Sequence, residues 1–401
     1  MTAPVLRIER PVLRLLPKAN ARAIRRGAPW VFDNELVMDR RARKIAPGTI
    51  ATLVDNDHTV LGTVAVNPTS KIVARMLDRE EVAIDGDWLQ AKVVKALSLR
   101  TRIYDEPYYR LIHAESDGLP GVIVDRFGEM LVIQPNAAWS EMLLEELTEA
   151  LVAATGCATV LKNAGGRGRA LEGLDDVDAV LRGEAPEHAV PVGMNGATYM
   201  ADLTGGQKTG LFYDQRDNHA FAARLAPGAR VVDVFSHVGG FALAALAGGA
   251  ESALAVDGSG PALELAREGA ERMGRTDRFQ TRQGDAFDVL DALGAEGEAF
   301  DLVVCDPPAF APNKPALEKG LRAYERVARL AAPLVAEDGY LVLCSCSHAA
   351  DLSAFTGACL RGIGRAGRRA TLIHTGFAGP DHPLLPQLAE SGYLKALFFR
   401  L

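Results

Sequence analysis

From residue 191 onward, short apolar runs alternate with helix-forming stretches, and this alternation limits the fold more than any other feature of the chain. The runs fall at 230–235, 252–257, 278–283, 300–305 and 339–344. Strand–helix alternation builds an α/β, mostly parallel sheet with helices on its faces. In such a sheet, ligands bind at the carboxyl ends of the strands. Two of the runs end in reactive chemistry. Residues 301–310 read Asp-Leu-Val-Val-Cys-Asp-Pro-Pro-Ala-Phe, and residues 341–347 read Leu-Val-Leu-Cys-Ser-Cys-Ser. A carboxylate and a thiol are expected on opposite sides of one substrate. A closing pair of strands is expected at 371–377 and 393–400.

The front of the chain reads differently. Residues 1–75 carry β-type runs at 12–16, 49–54, 60–66 and 72–76, with one short helix at 19–26. Turn chemistry separates them at Gly27-Ala28-Pro29, Ala46-Pro47-Gly48 and Asn67-Pro68, which predicts a small β-barrel module. Residues 76–190 read as a second, α+β unit. A helix is predicted over 85–109, where Trp88, Leu89, Val93, Val94, Leu97 and Ile103 keep a helical spacing. A hairpin at 125–129, a second helix at 140–154 and a Gly/Arg-rich loop at 163–169 follow. The expected domains are therefore 1–75, 76–190 and 191–401.

Charge is unevenly placed. Residues 1–44 hold eleven basic and four acidic side chains, a net +7 on a chain whose total is −7, which leaves −14 on the remainder. A basic front on an acidic body fits local contact with phosphates, although a solvated Arg-rich surface has the same composition. Arg7, Glu9, Arg10 and Arg14 interrupt any signal-peptide pattern, and no segment approaches the roughly 18 apolar residues of a membrane span. Five cysteines, two of them one residue apart, fit free thiols in a reducing cytoplasm.

The run at 230–235 enters a turn with Gly239 and Gly240, followed by a helix of small residues. Glycines there let a ligand approach the backbone beside a helix N-terminus. The next strand ends at Asp257, an acid placed to accept both hydroxyls of a ribose. A third leads to Gly284-Asp285-Ala286-Phe287, placed for an adenine amino group. The Gly-x-Gly-x-x-Gly dinucleotide fingerprint is absent. Asp233 would repel a pyrophosphate and suits a cationic ligand, such as an ammonium or a sulfonium. S-adenosylmethionine offers both.

Asp306-Pro307-Pro308 forms a stiff turn, because two prolines fix the backbone and remove donors. Phe310 is placed to stack on a base. Cys344 lies inside its apolar run and reads as packing, as does Cys305. Cys346 lies beyond the run, beside Ser347 and His348, where a thiolate can be exposed and activated. Cys344 and Cys346 would share a face if the strand continued, giving half of a zinc tetrahedron, but no second Cys/His pair stands at ligand spacing.

Several stretches are specific enough to compare with a known family. They are Pro29-Trp30-Val31-Phe32, Glu115-Ser-Asp-Gly-Leu-Pro-Gly, Asp125-Arg-Phe-Gly, Gln207-Lys-Thr-Gly-Leu-Phe-Tyr-Asp-Gln-Arg-Asp, Asp306-Pro-Pro-Ala-Phe, Ser345-Cys-Ser, Asp381-His-Pro and Tyr393-Leu-Lys. Together they resemble the bacterial 23S rRNA (cytosine-5)-methyltransferases, built from a PUA domain, a middle domain and a Rossmann-like methyltransferase domain. The resemblance implies an enzyme that uses S-adenosylmethionine to methylate cytosine C5 through a covalent adduct between Cys346 and carbon 6. It makes Cys346 the nucleophile and Asp306 the acid that polarises the base. Cofactor contacts are implied at Lys208, Thr209, Gly210, Phe212, Asp214, Gln215 and Arg216, a loop ahead of the first strand. Further ones are implied at Asp233, Phe235, Ser236, Gly239, Gly240, Asp257, Gly258, Ser259, Asp285, Ala286, Asp306 and Pro307. RNA contacts are implied at Arg22, Arg25, Arg26, Trp30 and Phe310. The chain departs from the family at His237, where a Tyr-Thr type turn is usual, and at His348, which replaces a small residue.

The expected partner is 23S rRNA or a fragment of it, with a homodimer admitted and neither metal nor membrane involved. Two other functions fit part of this pattern. An N-methyltransferase acting on guanine would use Asp-Pro-Pro-Phe without a thiol, and its product differs by nucleoside mass spectrometry. A non-catalytic RNA-binding assembly factor would keep the fold without binding the cofactor.

Overall fold

The computed structural model describes residues 10–205 and 210–401. The chain divides into two compact units, Met1–Ala185 with Pro383–Ser391, and Pro186–His382 with Gly392–Leu401. Among the described residues no helix is long and apolar enough to cross a membrane.

The first unit contains two five-stranded sheets. One takes β1 (Val12–Arg14), β2 (Trp30–Phe32), β3 (Ile50–Val54), β4 (Val60–Val66) and β5 (Ile72–Asp78) in the order β1-β3-β4-β5-β2. Leu13, Val31, Leu53, Val64 and Val73 fill its core. The other takes β6 (Tyr108–His113), β7 (Val122–Phe127), β8 (Met130–Pro135), β9 (Thr159–Lys162) and β10 (Ala179–Arg182) in the order β10-β9-β8-β7-β6. Helices Gly86–Ile103 and Leu144–Thr155 pack with it through Leu89, Val93, Leu147 and Leu151.

Three expectations for this unit are corrected. The helix predicted over 85–109 ends at Ile103, and Tyr108–His113 is a strand. Pro107 restricts Glu106 to extended backbone, so the helix cannot run through it. The helix predicted over 140–154 is two helices, Ala138–Met142 and Leu144–Thr155, meeting at Leu143. The Gly/Arg-rich stretch is not loop throughout, because Arg167–Glu172 is helical. Arg169 is fully buried there, bonded to Glu141, Asp175 and the Pro135 carbonyl.

The second unit opens with a hairpin, β11 (Val190–Met194) and β12 (Ala197–Ala201), turning through Asn195 and Gly196 at φ 57° and 74°. Its main sheet comprises β13 (Arg230–Val234), β14 (Ser252–Asp257), β15 (Phe279–Gln283), β16 (Phe300–Cys305), β17 (Val335–Ser345), β18 (Thr371–Gly376) and β19 (Lys395–Arg400). The order is β15-β14-β13-β16-β17-β19-β18, parallel from β15 to β17, with β19 antiparallel to both of its neighbours. β17 is longer than the predicted run, starting at Val335 and passing through Asp338 at φ 61°. The chain crosses over from β15 to β16 beside β13, so the topological switch lies at the carboxyl ends of β13, β14 and β16. Val232, Val303, Leu341, Phe355 and Phe399 are among the fully buried residues that hold these strand ends rigid.

Candidate active site

The turn after β13 is conformationally demanding. Phe235, His237 and Gly239 have φ of 65°, 51° and 85°. For the two non-glycine residues this costs on the order of 1–3 kcal/mol each, strain that concentrates at functional sites. Asp233 over-determines the turn from below. Its Oδ2 accepts from Ser236 Oγ at 3.1 Å, Phe241 N at 3.1 Å and Ala242 N at 2.9 Å, at the start of helix Gly240–Ala247. Its Oδ1 is buried with no hydrogen-bond partner among the described residues. Burial pushes the Asp233 carboxyl up to about 7, against the pull of those donors. Gly240 admits no side chain, since a Cβ there would lie 2.9 Å from His219 Nε2.

Asp257 closes the neighbouring side. Its Oδ2 accepts from His237 N and its Oδ1 from Ser259 N, each at 2.8 Å. Gly258 and Ser259 are exposed, and Ser259 caps the helix that begins at Gly260. Asp285 is exposed and caps helix Ala286–Ala295 through Phe287 N and Asp288 N. Ala286 is buried at its base. Phe235, Phe287 and Phe310 form a triangle with ring centroids 6.2–6.4 Å apart, which draws the ends of β13, β15 and β16 together. Phe310 also packs on Tyr324 at 5.0 Å.

The two reactive strand ends are tied to the same turn. Asp306 N donates to Val234 O at 3.1 Å. Pro307 is buried, whereas Pro308 and Ala309 are exposed. Ala311 N donates to Ser347 Oγ at 2.9 Å. Tyr324 Oη lies 2.8 Å from both Ser345 Oγ and Ser347 Oγ. β17 ends at Ser345, so Cys346 leaves the alternation of the strand instead of continuing the face of Cys344. Four of the five thiols are buried and Cys346 alone is partly exposed. Burial, reinforced by Asp306, holds the Cys344 thiol well above its ordinary range.

The loop ahead of β13 is only partly described, since Lys208 and Thr209 lie outside the described residues. Phe212 sets its ring 5.2 Å from that of His237. Gly210 has φ 97° and backs onto the Asp202 backbone. Asp214, Gln215 and Arg216 are buried. Tyr393 Oη donates to Asp214 Oδ2 at 2.6 Å, and Gln215 Oε1 accepts from Asn218 Nδ2 at 2.6 Å. Phe212 therefore meets the glycine turn, while Asp214 is bonded to Tyr393 and Gln215 to Asn218.

In the first unit, Arg22 and Arg26 are exposed, and Arg25 pairs with Asp55 at 2.5 Å. Trp30 is half-buried, with its Nε1 donating to Glu115 at 2.8 Å and Arg75 over its ring. Arg75 spans Glu115 and Glu172 at 3.2 and 2.9 Å.

Tyr324 was not singled out from the sequence, and Lys395 entered only as the end of the Tyr393-Leu-Lys stretch, with no role attached. Tyr324 sits at a core position of helix Leu317–Ala331 and reads as packing. Lys395 carried a signal, a lone lysine inside the apolar stretch 394–399.

Comparison with known proteins adds to this geometry. Residues 13–79 match a PUA-like domain, and residues 128–400 match an S-adenosylmethionine-dependent methyltransferase domain. Ribosomal RNA large subunit methyltransferase I of Erwinia tasmaniensis is 33% identical over 392 residues, covering 96% of this chain and 98% of that protein. The protein of the same name from Shewanella denitrificans is 34% identical over 396 residues, with the same coverage. Among solved structures, SMU.776, a methyltransferase complexed with SAH, aligns with a TM-score of 0.83 at 20% identity over 98% of this chain and 100% of that one. A SAM-dependent methyltransferase from Streptococcus mutans aligns at 0.82 and 19% identity with the same coverage.

Proposed function

The chain belongs to the S-adenosylmethionine-dependent methyltransferases, in the family of the ribosomal RNA large subunit methyltransferase I proteins, and from that membership we propose that it methylates carbon 5 of a cytosine in 23S rRNA through a covalent Cys346 adduct. One observation carries this reading. Cys346 is the single partly exposed thiol of the chain, and its neighbour Ser347 is hydrogen-bonded to the loop that begins at Asp306.

The residues fit the cofactor. The buried, half-satisfied carboxylate of Asp233 under the turn suits a cation, and half-buried Asp257 suits ribose hydroxyls. Phe235 and Phe287 offer apolar faces for the adenine between Asp257 and Asp285. Bound S-adenosylmethionine supplies an electrophilic methyl group. Carbon 5 of cytosine is a poor nucleophile until a thiolate adds at carbon 6 and pushes electrons toward it. Cys346 makes that bond. Asp306, sharing a proton with ring nitrogen 3, offsets the charge that develops on the base. Loss of the carbon-5 proton then expels the Cys346 thiolate and restores the ring. The target base must leave its stack, so single-stranded or loop RNA is the substrate form. The division at 1–75, 76–190 and 191–401 belongs to the same reading, with the basic front module holding flanking phosphates.

The test is Cys346→Ala assayed on 23S rRNA fragments with labelled cofactor. Methyl transfer should disappear while calorimetry shows cofactor binding retained, and nucleoside mass spectrometry of the wild-type product should show 5-methylcytidine. Retained transfer would sink the covalent step, and a methylated guanine would replace the reading with N-methylation.

A further inference from the structure

Lys395 opens β19 and is 4% exposed. Its ammonium donates to Ser347 O at 2.7 Å and Ala350 O at 2.8 Å. Among the described residues, no carboxylate forms an ion pair with it. Lysines are almost never buried without a counter-charge, because desolvation costs several kcal/mol per ion. An ammonium has three donors, and only two are used on these carbonyls. Both carbonyls belong to the segment that directly follows Cys346, and the register of β17 against β19 places Ser345 opposite Lys395. This buried ammonium therefore lies against the backbone that flanks the one partly exposed thiol.

We infer that Lys395 is the positioning residue of the thiol: its ammonium is the counter-charge that holds Cys346 as a thiolate and fixes the loop that carries it. This rests on the reading of Cys346 as nucleophile. The proton of the resting thiol goes to solvent. The thiolate is consumed on addition and returned on elimination, so no oxidant or further acid is needed. The titratable groups around the pair are few. Tyr324 reaches the Ser345 and Ser347 hydroxyls from its helix. Asp351 caps the helix Leu352–Arg365, His348 is exposed next in sequence, and Cys344 and Asp306 lie at the ends of β17 and β16. Burial lowers the Lys395 pKa, whereas a charged Cys346 and Asp351 raise it. The interaction is thus mutual: a cation that favours the thiolate is itself favoured by it.

Alkylation of the full chain with iodoacetamide across a pH series, followed by peptide mass spectrometry, reads Cys346 against four buried thiols. Wild type should alkylate with a midpoint below the ordinary thiol value of about 8.5. Lys395→Met should raise that midpoint by about one pH unit and slow alkylation near neutrality about tenfold. Lys395→Arg should keep it lowered. A wild-type midpoint at or above about 8.5 overturns the inference without any variant. So does a folded, cofactor-binding Lys395→Met that titrates like wild type. Methyl transfer surviving Cys346→Ala sinks the nucleophile reading, whereas an unshifted midpoint sinks only the role of Lys395.

Discussion

Ala311 N–H donates to Ser347 Oγ at 2.9 Å, so the loop that carries Asp306 and the loop that carries Cys346 are fastened by one buried hydrogen bond. Ser347 Oγ also meets Tyr324 Oη, which reaches Ser345. Two loops from neighbouring strands thereby share one polar knot. Positioning of this kind matters because a reacting pair misplaced by about 1 Å can lose about 100-fold in rate.

Ser347→Ala should therefore act on chemistry more than on binding. It strands the buried Ala311 N–H and removes one partner of Tyr324, at a cost of about 1–3 kcal/mol in denaturant unfolding. Single-turnover methylation should fall about 10- to 100-fold, with the cofactor dissociation constant unchanged by calorimetry. Unchanged turnover would mean that the two loops act independently.

Asp233 makes a pH-dependent prediction. Its carboxyl is raised from 3.8 to about 7 by burial, so the folded chain holds that proton more tightly than the unfolded chain. The stability it contributes is full below about pH 4 and is lost as pH rises through about 7. Wild type minus Asp233→Asn, compared by urea unfolding, should decline by a few kcal/mol over that window and be flat above it. A bound cation favours the ionised form. Cofactor affinity of wild type should therefore strengthen through the same window, while the Asn variant binds about tenfold more weakly and without that slope. Parallel pH profiles for the two proteins would remove Asp233 from this role.

Much of the sheet was legible because its signals are local. Apolar runs ending in Asp257 and Asp306 mark strand ends, with a glycine or a proline turn following, and the run through Cys344 ends where the polar Ser345-Cys346-Ser347-His348 begins. The helix end at Ile103 is legible as well, since the apolar spacing stops at Ile103 and Glu106-Pro107 forbids continuation to 109. Asn195-Gly196 is a local hairpin signal of the same kind that went unused. The polar knot was not legible. Tyr324 is 21 residues from Ser345 and 23 from Ser347, and Lys395 is 48 from Ser347. No local pattern announces a bond between a core tyrosine, two strand-end serines and a lysine from the last strand. Trp30 is similar: its sequence context marks it as notable, but only the fold sends its indole N–H to Glu115, 85 residues away.

The first unit supplies the last prediction. Arg22 and Arg26 are exposed beside helix Ala21–Arg25, while Arg25 already gives its guanidinium to Asp55. Free guanidiniums that neutralise phosphates release counterions, and each changes the salt slope of binding by about 0.7–0.9. Arg22→Ala with Arg26→Ala should weaken binding to rRNA fragments regardless of their sequence, and flatten the log–log salt slope by about 1.4–1.8. Arg25→Ala should flatten it less, because that charge is partly neutralised within the chain. Trp30→Phe keeps a ring but loses the bond to Glu115, so it should lower unfolding stability by about 1 kcal/mol and leave the salt slope unchanged. An unchanged slope in the double arginine variant, measured by filter binding across salt, would move the phosphate-binding surface away from this helix.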